Sequence, residues 1–260
     1  MNKATEKFKN GFLKVKMFFE KLLFPDDIKC IFCGTDVPDF YTKPYCENCE
    51  KDLPLNNQNR CLICDEPIDN EAKVCDSCQK EKRYFKKAFC PFVYKDKVRS
   101  SILGYKDSNR RYLSKTFAKF IVEELNSSKV KIDRITYVPM TKKKEKQRSF
   151  NQSKLLAIEI GKLLNKPVID LFEKTKDGTA QKFLTAKERA AAMKDLYVLK
   201  KQTLHHSENI LIVDDIITTC ATVNYCSALI HNRVNSVYVC AIARNKKLHQ
   251  KSNDDQNDNK

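Results

Sequence analysis

Residues 209–222, Asn-Ile-Leu-Ile-Val-Asp-Asp-Ile-Ile-Thr-Thr-Cys-Ala-Thr, constrain the fold more than any other part of the chain. Ile210, Leu211, Ile212 and Val213 follow one another without a polar break. An aliphatic, largely β-branched run of this kind suits a strand buried on both faces, as in a parallel sheet covered by helices on either side. Asp214 and Asp215 end the run, and the hydroxyl-rich segment Thr218, Thr219, Cys220, Ala221, Thr222 follows shortly after. Strand, loop and helix in that order form the corner at which open α/β sheets hold their ligands.

The residue types at the corner define its chemistry. A helix beginning near Thr219 to Thr222 offers unpaired backbone N–H groups and the positive end of its dipole, and threonine hydroxyls add donors for phosphate oxygens. Two adjacent carboxylates can accept hydrogen bonds from vicinal sugar hydroxyls or help hold Mg2+ through water. Together they describe a site for a phosphorylated ribose. The same residues also suit a plain buried strand, with Asp214 as a helix N-cap and the threonines as turn formers. Four hydrophobic residues, Asp-Asp, two hydrophobic residues and Thr-Thr-x-x-Thr resemble the loop of type I phosphoribosyltransferases, which bind phosphoribosyl pyrophosphate (PRPP). That resemblance implies that Asp214 and Asp215 hold the ribose hydroxyls while Thr218 through Thr222 wrap the 5′-phosphate. Cys220 stands where such loops usually carry glycine, a residue that permits close backbone approach.

Eight of the twelve cysteines fall into four C-x-x-C pairs, Cys30/Cys33, Cys46/Cys49, Cys61/Cys64 and Cys75/Cys78. Two close pairs separated by roughly a dozen residues occur twice, so the spacing is that of a duplicated ribbon-like unit. Each turn-borne pair presents two thiolates, and two pairs complete a closed structural zinc site. Pairing first with second and third with fourth is the expected arrangement, and a crossed one stays open. So short a segment has little core, and Zn2+ would supply much of its folding free energy. Disulfides are disfavoured as the alternative. Residues 1–24 show no clean apolar core of a signal peptide, and no window approaches a membrane span, which predicts an intracellular chain.

Phe8, Phe12, Val15, Phe19 and Leu22 or Leu23 recur at helical spacing, predicting an amphipathic helix before Pro25. It suits docking on its own domain, or else a partner protein or a membrane surface. The formal charge of +16 favours polyanions without choosing among nucleic acid, anionic membrane and phosphorylated small molecules. From Tyr84 onward strands are predicted at Ala88–Tyr94, Ile132–Pro139, Val168–Leu171, Tyr197–Leu199 and Ser236–Ala243, with helices between them. That alternation calls for an α/β doubly wound parallel sheet with helices on both faces. Residues 140–148, with five basic residues, leave the carboxyl end of the second of these strands. Part of this run is therefore expected to face the ligand, where cations neutralise a departing pyrophosphate.

Taken in order, the tandem C-x-x-C ribbons, the Tyr105-Lys106 basic turn, Val138-Pro139-Met140 followed by Lys-Lys-Lys-Glu-Lys-Gln-Arg-Ser-Phe-Asn-Gln, the Arg-Ala-Ala-Ala-Met stretch and the Asp-Asp-Thr-Thr loop resemble the ComF family. These are phosphoribosyltransferase-like proteins associated with bacterial natural transformation, and the resemblance runs from Leu22 to Arg244. It implies a zinc-ribbon module over 26–82 and a type I phosphoribosyltransferase-like domain over 84–244, between the amphipathic helix expected over 1–25 and a polar tail over 245–260 whose composition predicts disorder. It further implies cytoplasmic handling of incoming single-stranded DNA, at the inner face of the membrane and beside DNA-uptake machinery proteins. Lys106, Lys142 through Arg148 and Phe150 through Gln152 are implied to border the PRPP site. The chain departs from the family at Asp107-Ser108, Ser149 and Cys220, each where a glycine is usual. Two functions are expected from this. One is an enzyme that uses Mg2+ to displace pyrophosphate from PRPP, with Asp214 and Asp215 at the reacting ribose and an acceptor the residues do not name. The other is an inactive PRPP fold serving as a single-stranded-DNA-binding module, with exposed aromatics at Tyr84, Phe85 and Tyr105.

Overall fold

The computed structural model describes residues 29–37, 44–68, 71–107, 110–176 and 196–245. The expected N-terminal helix, residues 177–195 and the polar tail from 246 lie outside the described residues. The chain forms two compact units, Met1–Leu53 and Pro54–Lys260.

Each unit carries one cysteine ribbon, and the two ribbons repeat bond for bond. In the first, Lys29 bridges Asp36, Cys30 N–H donates to Thr35 O at 2.7 Å, and Gly34 N–H donates to Cys30 O at 2.8 Å. In the second, Arg60 bridges Pro67, Cys61 N–H donates to Glu66 O at 2.8 Å, and Asp65 N–H donates to Cys61 O at 3.0 Å. Gly34 and Asp65 both take the left-handed conformation, at φ 80° and 63°. A short helix then starts at the third cysteine of each, α1 (Glu47–Lys51) at Cys46 and α2 (Asp76–Lys80) at Cys75. The predicted duplication is therefore present, but the second copy is built into the domain that follows it. Ile63 O accepts from Ala88 N–H, the buried Asp65 carboxylate accepts from Cys90 N–H at 2.7 Å, and Asn224 bridges Lys82 and Tyr84. The division between compact units thus falls inside the expected 26–82 module.

After the ribbons come β1 (Lys87–Phe89), β2 (Phe92–Val93), α3 (Asp96–Asp107), α4 (Leu113–Ser127), β3 (Arg134–Tyr137), α5 (Lys142–Arg148) and α6 (Gln152–Leu164). Then follow β4 (Phe172–Lys174), β5 (Tyr197–Leu199), β6 (Asn209–Val213), β7 (Ile216–Ile217), α7 (Ala221–Ile230), β8 (Ser236–Cys240) and β9 (Ala243–Arg244). The main sheet has order β1-β8-β6-β3 with every pair parallel, as the aliphatic run predicted. Helices α4 and α6 pack together against β1, β3 and β6, while α7 packs against β6 and β8. Strand residues alternate between faces: Ile210 and Ile212 join a buried cluster with Val223, Cys226 and Ile230 of α7. Strand placement differs from expectation at Val168, which forms only a bridge to Ile135, with the strand proper at β4 pairing antiparallel to β5.

Three neighbouring strands break at one level. β1 and β2 are separated by Cys90-Pro91, β6 and β7 by Asp214-Asp215, and β8 and β9 by Ala241-Ile242. Proline has no N–H for the ladder, which accounts for the first break. Bonds from Ala241 N–H to Phe89 O, Asp214 N–H to Cys240 O and Ile242 N–H to Asp215 O carry the chains across the step, after which β2, β9 and β7 form a second parallel sheet. Asp214 and Asp215 lie on that step. They are held at an edge where the ladder is interrupted.

Gly161 lets α6 approach the 166–168 segment. A Cβ there would lie 2.6 Å from Val168 Cγ2 and 2.9 Å from Lys166 O. Gly161→Ala is expected to lower stability by about 1–3 kcal/mol, because the carbonyl cannot move aside cheaply, outweighing the ~1 kcal/mol gain in helix propensity. A urea unfolding midpoint at or above that of the wild type would contradict this.

Candidate functional site: the Asp-Thr corner and the cysteine quartets

Asp214 leaves β6 where the sheet steps, and its position is fixed from two sides. Ser153 Oγ donates to Asp214 Oδ1 at 3.0 Å, and the same oxygen accepts the Asp215 N–H at 2.8 Å. Desolvation, together with the neighbouring Asp215 charge, pushes the Asp214 carboxyl up to about 7. Asp215 is instead met by a cation: Lys106 Nζ lies 2.8 Å from its Oδ2, with both side chains mostly shielded, at 18% and 17% exposure. The two carboxylates are therefore unequal, one holding a proton near neutrality and the other paired.

Beyond them lies an open pocket of about 220 Å³ lined by Asp214, Ile216, Ile217, Thr218, Thr219, Cys220, Ala221, Thr222 and Val223. α7 begins here, and the first amides of a helix lack intrahelical partners. Ala221 N–H reaches Thr219 Oγ1 at a long 3.4 Å, and no backbone acceptor among the described residues takes the amides of Thr219, Cys220 or Thr222. Donors at a helix start and the Asp214 carboxylate thus line one pocket, while Asp215 is met by Lys106.

The residues flanking the step act as braces. Asn151 caps α6 and donates to Val138 O at 3.1 Å, while Gln152 Nε2 donates to Lys106 O and Gln152 O accepts the Tyr105 hydroxyl. They hold the end of β3 and the end of α3, which carries Lys106. The basic run is a helix, α5, started by Thr141, whose side chain accepts Lys144 N–H. It leaves β3 beside the end of β6, where Val138 N–H donates to Val213 O. Lys142 is exposed and Arg148 half-buried, and the cation paired with Asp215 is Lys106 of α3 rather than one from this run. The expectation of exposed aromatics is corrected: Phe85 and Tyr105 are buried, and the half-buried Tyr84 packs against His231 in a tilted arrangement with ring centroids 4.6 Å apart.

Ser149 and Cys220 stand where glycine is usual, and both adopt glycine's left-handed backbone at φ 65°. The loop shape is kept at a cost in strain of about 1–2 kcal/mol per residue.

The thiol sulfurs of Cys30, Cys33, Cys46 and Cys49 lie within 4.8 Å of one another, as do those of Cys61, Cys64, Cys75 and Cys78. Pairing is therefore sequential, and the crossed arrangement is excluded. No cysteine forms a disulfide. A tetrahedron with Zn–S bonds of 2.3 Å has edges of about 3.8 Å, against 3.6 Å for Cys33 to Cys46 and 3.5 Å for Cys64 to Cys75. Both quartets fit a metal ion held by four sulfurs with no open position. The second is wrapped by cations. Arg83 Nε donates to Cys78 Sγ at 3.3 Å, and the buried Arg244 directs Nη2 to Cys64 Sγ at 3.6 Å. Two guanidinium groups offset the charge that four thiolates and a divalent ion would carry. Sequence reasoning missed Ser153, Arg83 and Arg244. Only the Arg244 position, one residue past an apolar strand, hinted at an unusual environment.

A parallel α/β domain with a ligand corner at its strand ends, joined to cysteine quartets, is thus the class that fold and site define. No family model matches the chain. Among curated proteins it is similar to Competence protein F of Haemophilus influenzae, 24% identical over 226 residues covering 84% of this chain and 97% of that protein. It is also similar to ComFC of Streptococcus pneumoniae, 26% identical over 214 residues, covering 76% of this chain and 90% of that one. ComFC of Bacillus subtilis is 24% identical over 226 residues, covering 75% and 85%. The resemblance to the ComF family is borne out along most of the chain. Solved structures that align with it include adenine phosphoribosyltransferase from Leishmania tarentolae, 11% identical over 56% of this chain and 74% of that one, TM-score 0.34. Trypanosoma cruzi hypoxanthine phosphoribosyl transferase aligns at 17% identity, over 55% and 76%, TM-score 0.33.

Ser149→Gly is expected to raise stability by about 1 kcal/mol by removing left-handed strain, read as a higher urea midpoint at unchanged slope. A lower midpoint would mean the serine side chain offsets that strain through contacts of its own.

Proposed function

We propose that the chain binds Mg2+–PRPP at the Asp214–Thr222 corner, holds one Zn2+ in each cysteine quartet, and acts in natural transformation. The observation that carries the ligand reading is the pocket that Asp214 shares with the opening amides of α7, next to the Lys106–Asp215 pair. The 5′-phosphate takes the amides and hydroxyls of Thr218 through Thr222, with the helix dipole favouring its charge. The ribose diol donates to Asp214 and Asp215. Lys106, which already neutralises Asp215, and the α5 cations from Lys142 to Arg148 meet the diphosphate. Bound Mg2+ supplies charge neutralisation at that diphosphate. Should an acceptor nucleophile attack ribose C1, the bond to pyrophosphate breaks and pyrophosphate leaves with the electron pair. The residues present orient that step and do not name the acceptor.

Titration calorimetry with PRPP and Mg2+ tests the reading. Wild type is expected to bind, and Asp214→Asn/Asp215→Asn to bind at least about ten-fold more weakly, matching the loss of charged hydrogen bonds of about 1.5–3 kcal/mol. No binding by a wild-type chain carrying two zinc ions would overturn it.

The raised Asp214 value fixes a pH signature. A diol or Mg2+ needs the carboxylate, so ligand binding strengthens as pH rises through about 7 and releases protons below it. Folding carries the opposite sign. The native state retains a proton that the unfolded chain gives up near 4, so this group's contribution to stability declines as pH climbs through about 7. Calorimetry in buffers of different ionisation enthalpy reads the proton release, and uptake in place of release would refute the assignment.

Exposed Lys142, Lys143 and Lys146 on α5, with the competence names of the relatives, favour a second reading in which single-stranded DNA tracks this helix. Binding of a labelled oligonucleotide is expected to weaken steeply with salt, with a smaller slope for Lys142→Glu/Lys143→Glu. A flat salt response would remove this reading.

A further inference from the structure

Arg244 ends β9 with its guanidinium fully buried, at 1% exposure, and its donors run in two directions. Toward the second ribbon, Nε donates to Cys64 O at 2.9 Å, and Nη2 meets Cys64 Sγ at 3.6 Å and Glu66 Oε2 at 3.0 Å. Toward the ligand corner, Nη1 donates to Ile217 O at 3.1 Å and to Thr218 O, and also to Asn245 O at 2.9 Å. Ile217 and Thr218 open the loop that lines the pocket. Cys220, the other end of that loop, is buried in the same cluster as Cys61 and Cys64. Both ends of the loop are thus packed against the second ribbon, one through Arg244 and the other through the buried Cys220.

We infer that Arg244 is a positioning residue that, with Cys220, couples metal binding at the Cys61/Cys64/Cys75/Cys78 quartet to ligand binding in the Asp214–Thr222 loop. When the quartet holds its ion, Cys64 and the adjoining Glu66 are fixed, and the planar fork of Arg244 then has a single orientation. That orientation places the Ile217 and Thr218 carbonyls, and with them the amides that follow. Emptying the quartet frees the Cys64 side chain and returns four thiols to a disordered arrangement. Arg244 is then left buried beside a mobile partner, and the loop loses its template. A buried cation with one partner removed is strongly destabilising, so the two sites cannot be indifferent to each other. The first quartet, in the other compact unit, has no such role.

Linkage makes the coupling reciprocal: whatever factor the metal adds to ligand affinity, the ligand adds to metal affinity. The ligand arm rests on the proposed phosphate site, and the exchange arm does not. In the zinc-loaded full chain, chelator competition is run with and without saturating ribose 5-phosphate. The expected result is that one of two zinc ions is held about ten-fold more tightly when the sugar phosphate is present, within the usual range of coupling factors. Arg244→Lys keeps the charge but not the fork, and is expected to abolish that protection while the other ion is unaffected. If Arg244→Lys fails to retain two zinc ions, Cys220→Ala carries the test and is expected to diminish the protection. Equal zinc affinity with and without bound ribose 5-phosphate overturns the inference, as does full protection in both variants. If ribose 5-phosphate does not bind the zinc-loaded wild type, the phosphate reading of the corner fails instead. Amide exchange of residues 216–222 then decides the coupling. Faster exchange on zinc removal, with the main-sheet amides unchanged, supports it, and unchanged loop exchange sinks it.

Discussion

A guanidinium withdrawn from water at the junction of ribbon, strand end and loop is the constraint on which the rest of the Pro54–Lys260 unit depends. Isolating such a charge costs several kcal/mol unless every donor is met. Arg244 meets that demand with the Glu66 carboxylate, the Cys64 carbonyl and sulfur, and three carbonyls from Ile217, Thr218 and Asn245. Cys64 and Glu66 cannot shift without stranding a donor, whereas the three carbonyls share the two hydrogens of Nη1. The second ribbon is therefore part of the sheet domain's core, and the loop at the sheet's edge inherits the rigidity of a metal-type knuckle. Its neighbour Asp65 extends the bracing, capping Cys90 N–H where β1 gives way to β2.

The same junction explains how a loop can keep a glycine shape without glycine. At Cys220 the left-handed backbone is disfavoured for any residue with a Cβ. The Cys220 side chain is buried in one cluster with Cys61 and Cys64, and packing there recovers part of the cost. Ser149 has the same dihedral but a different setting, at the end of α5, where Arg111 donates to its carbonyl and stacks on Phe150. One substitution is tied into the metal knuckle and the other into a surface clasp. They arise from the same steric rule and need not have the same energetic consequence.

How much of this was legible in the chain follows from what each signal encodes. The aliphatic run Ile210 to Val213 specified a strand buried on two faces, and burial on two faces implies a parallel sheet, so the central architecture was readable. C-x-x-C spacing encoded the ribbon and its duplication, because knuckle geometry is local. It could not encode what either ribbon packs against. The second copy packs through polar residues such as Asn56, Asp65 and Glu66, whose burial depends on partners far along the chain. The step in the sheet was half legible: Pro91 marks one break, whereas Asp214-Asp215 and Ala241-Ile242 break only because their neighbours do. Ser153 was unreadable for a similar reason, as its role exists only once α6 is laid beside β6.

The inequality of the two carboxylates is the last consequence of that placement. Asp214 has a hydroxyl and an amide as partners and a negative neighbour, all in a site poor in water, so its proton is retained near neutrality. Asp215 is instead paired with Lys106. A sugar diol offers two hydroxyl protons and wants two acceptors, and a metal-bound diphosphate brings both positive and negative charge to within reach of Lys106. Ligand arrival can therefore draw Lys106 from Asp215 toward the phosphates while Mg2+ compensates the carboxylates, which lets Asp214 ionise. A corner built this way therefore suits the proposed ligand best when its diphosphate supplies its own cation.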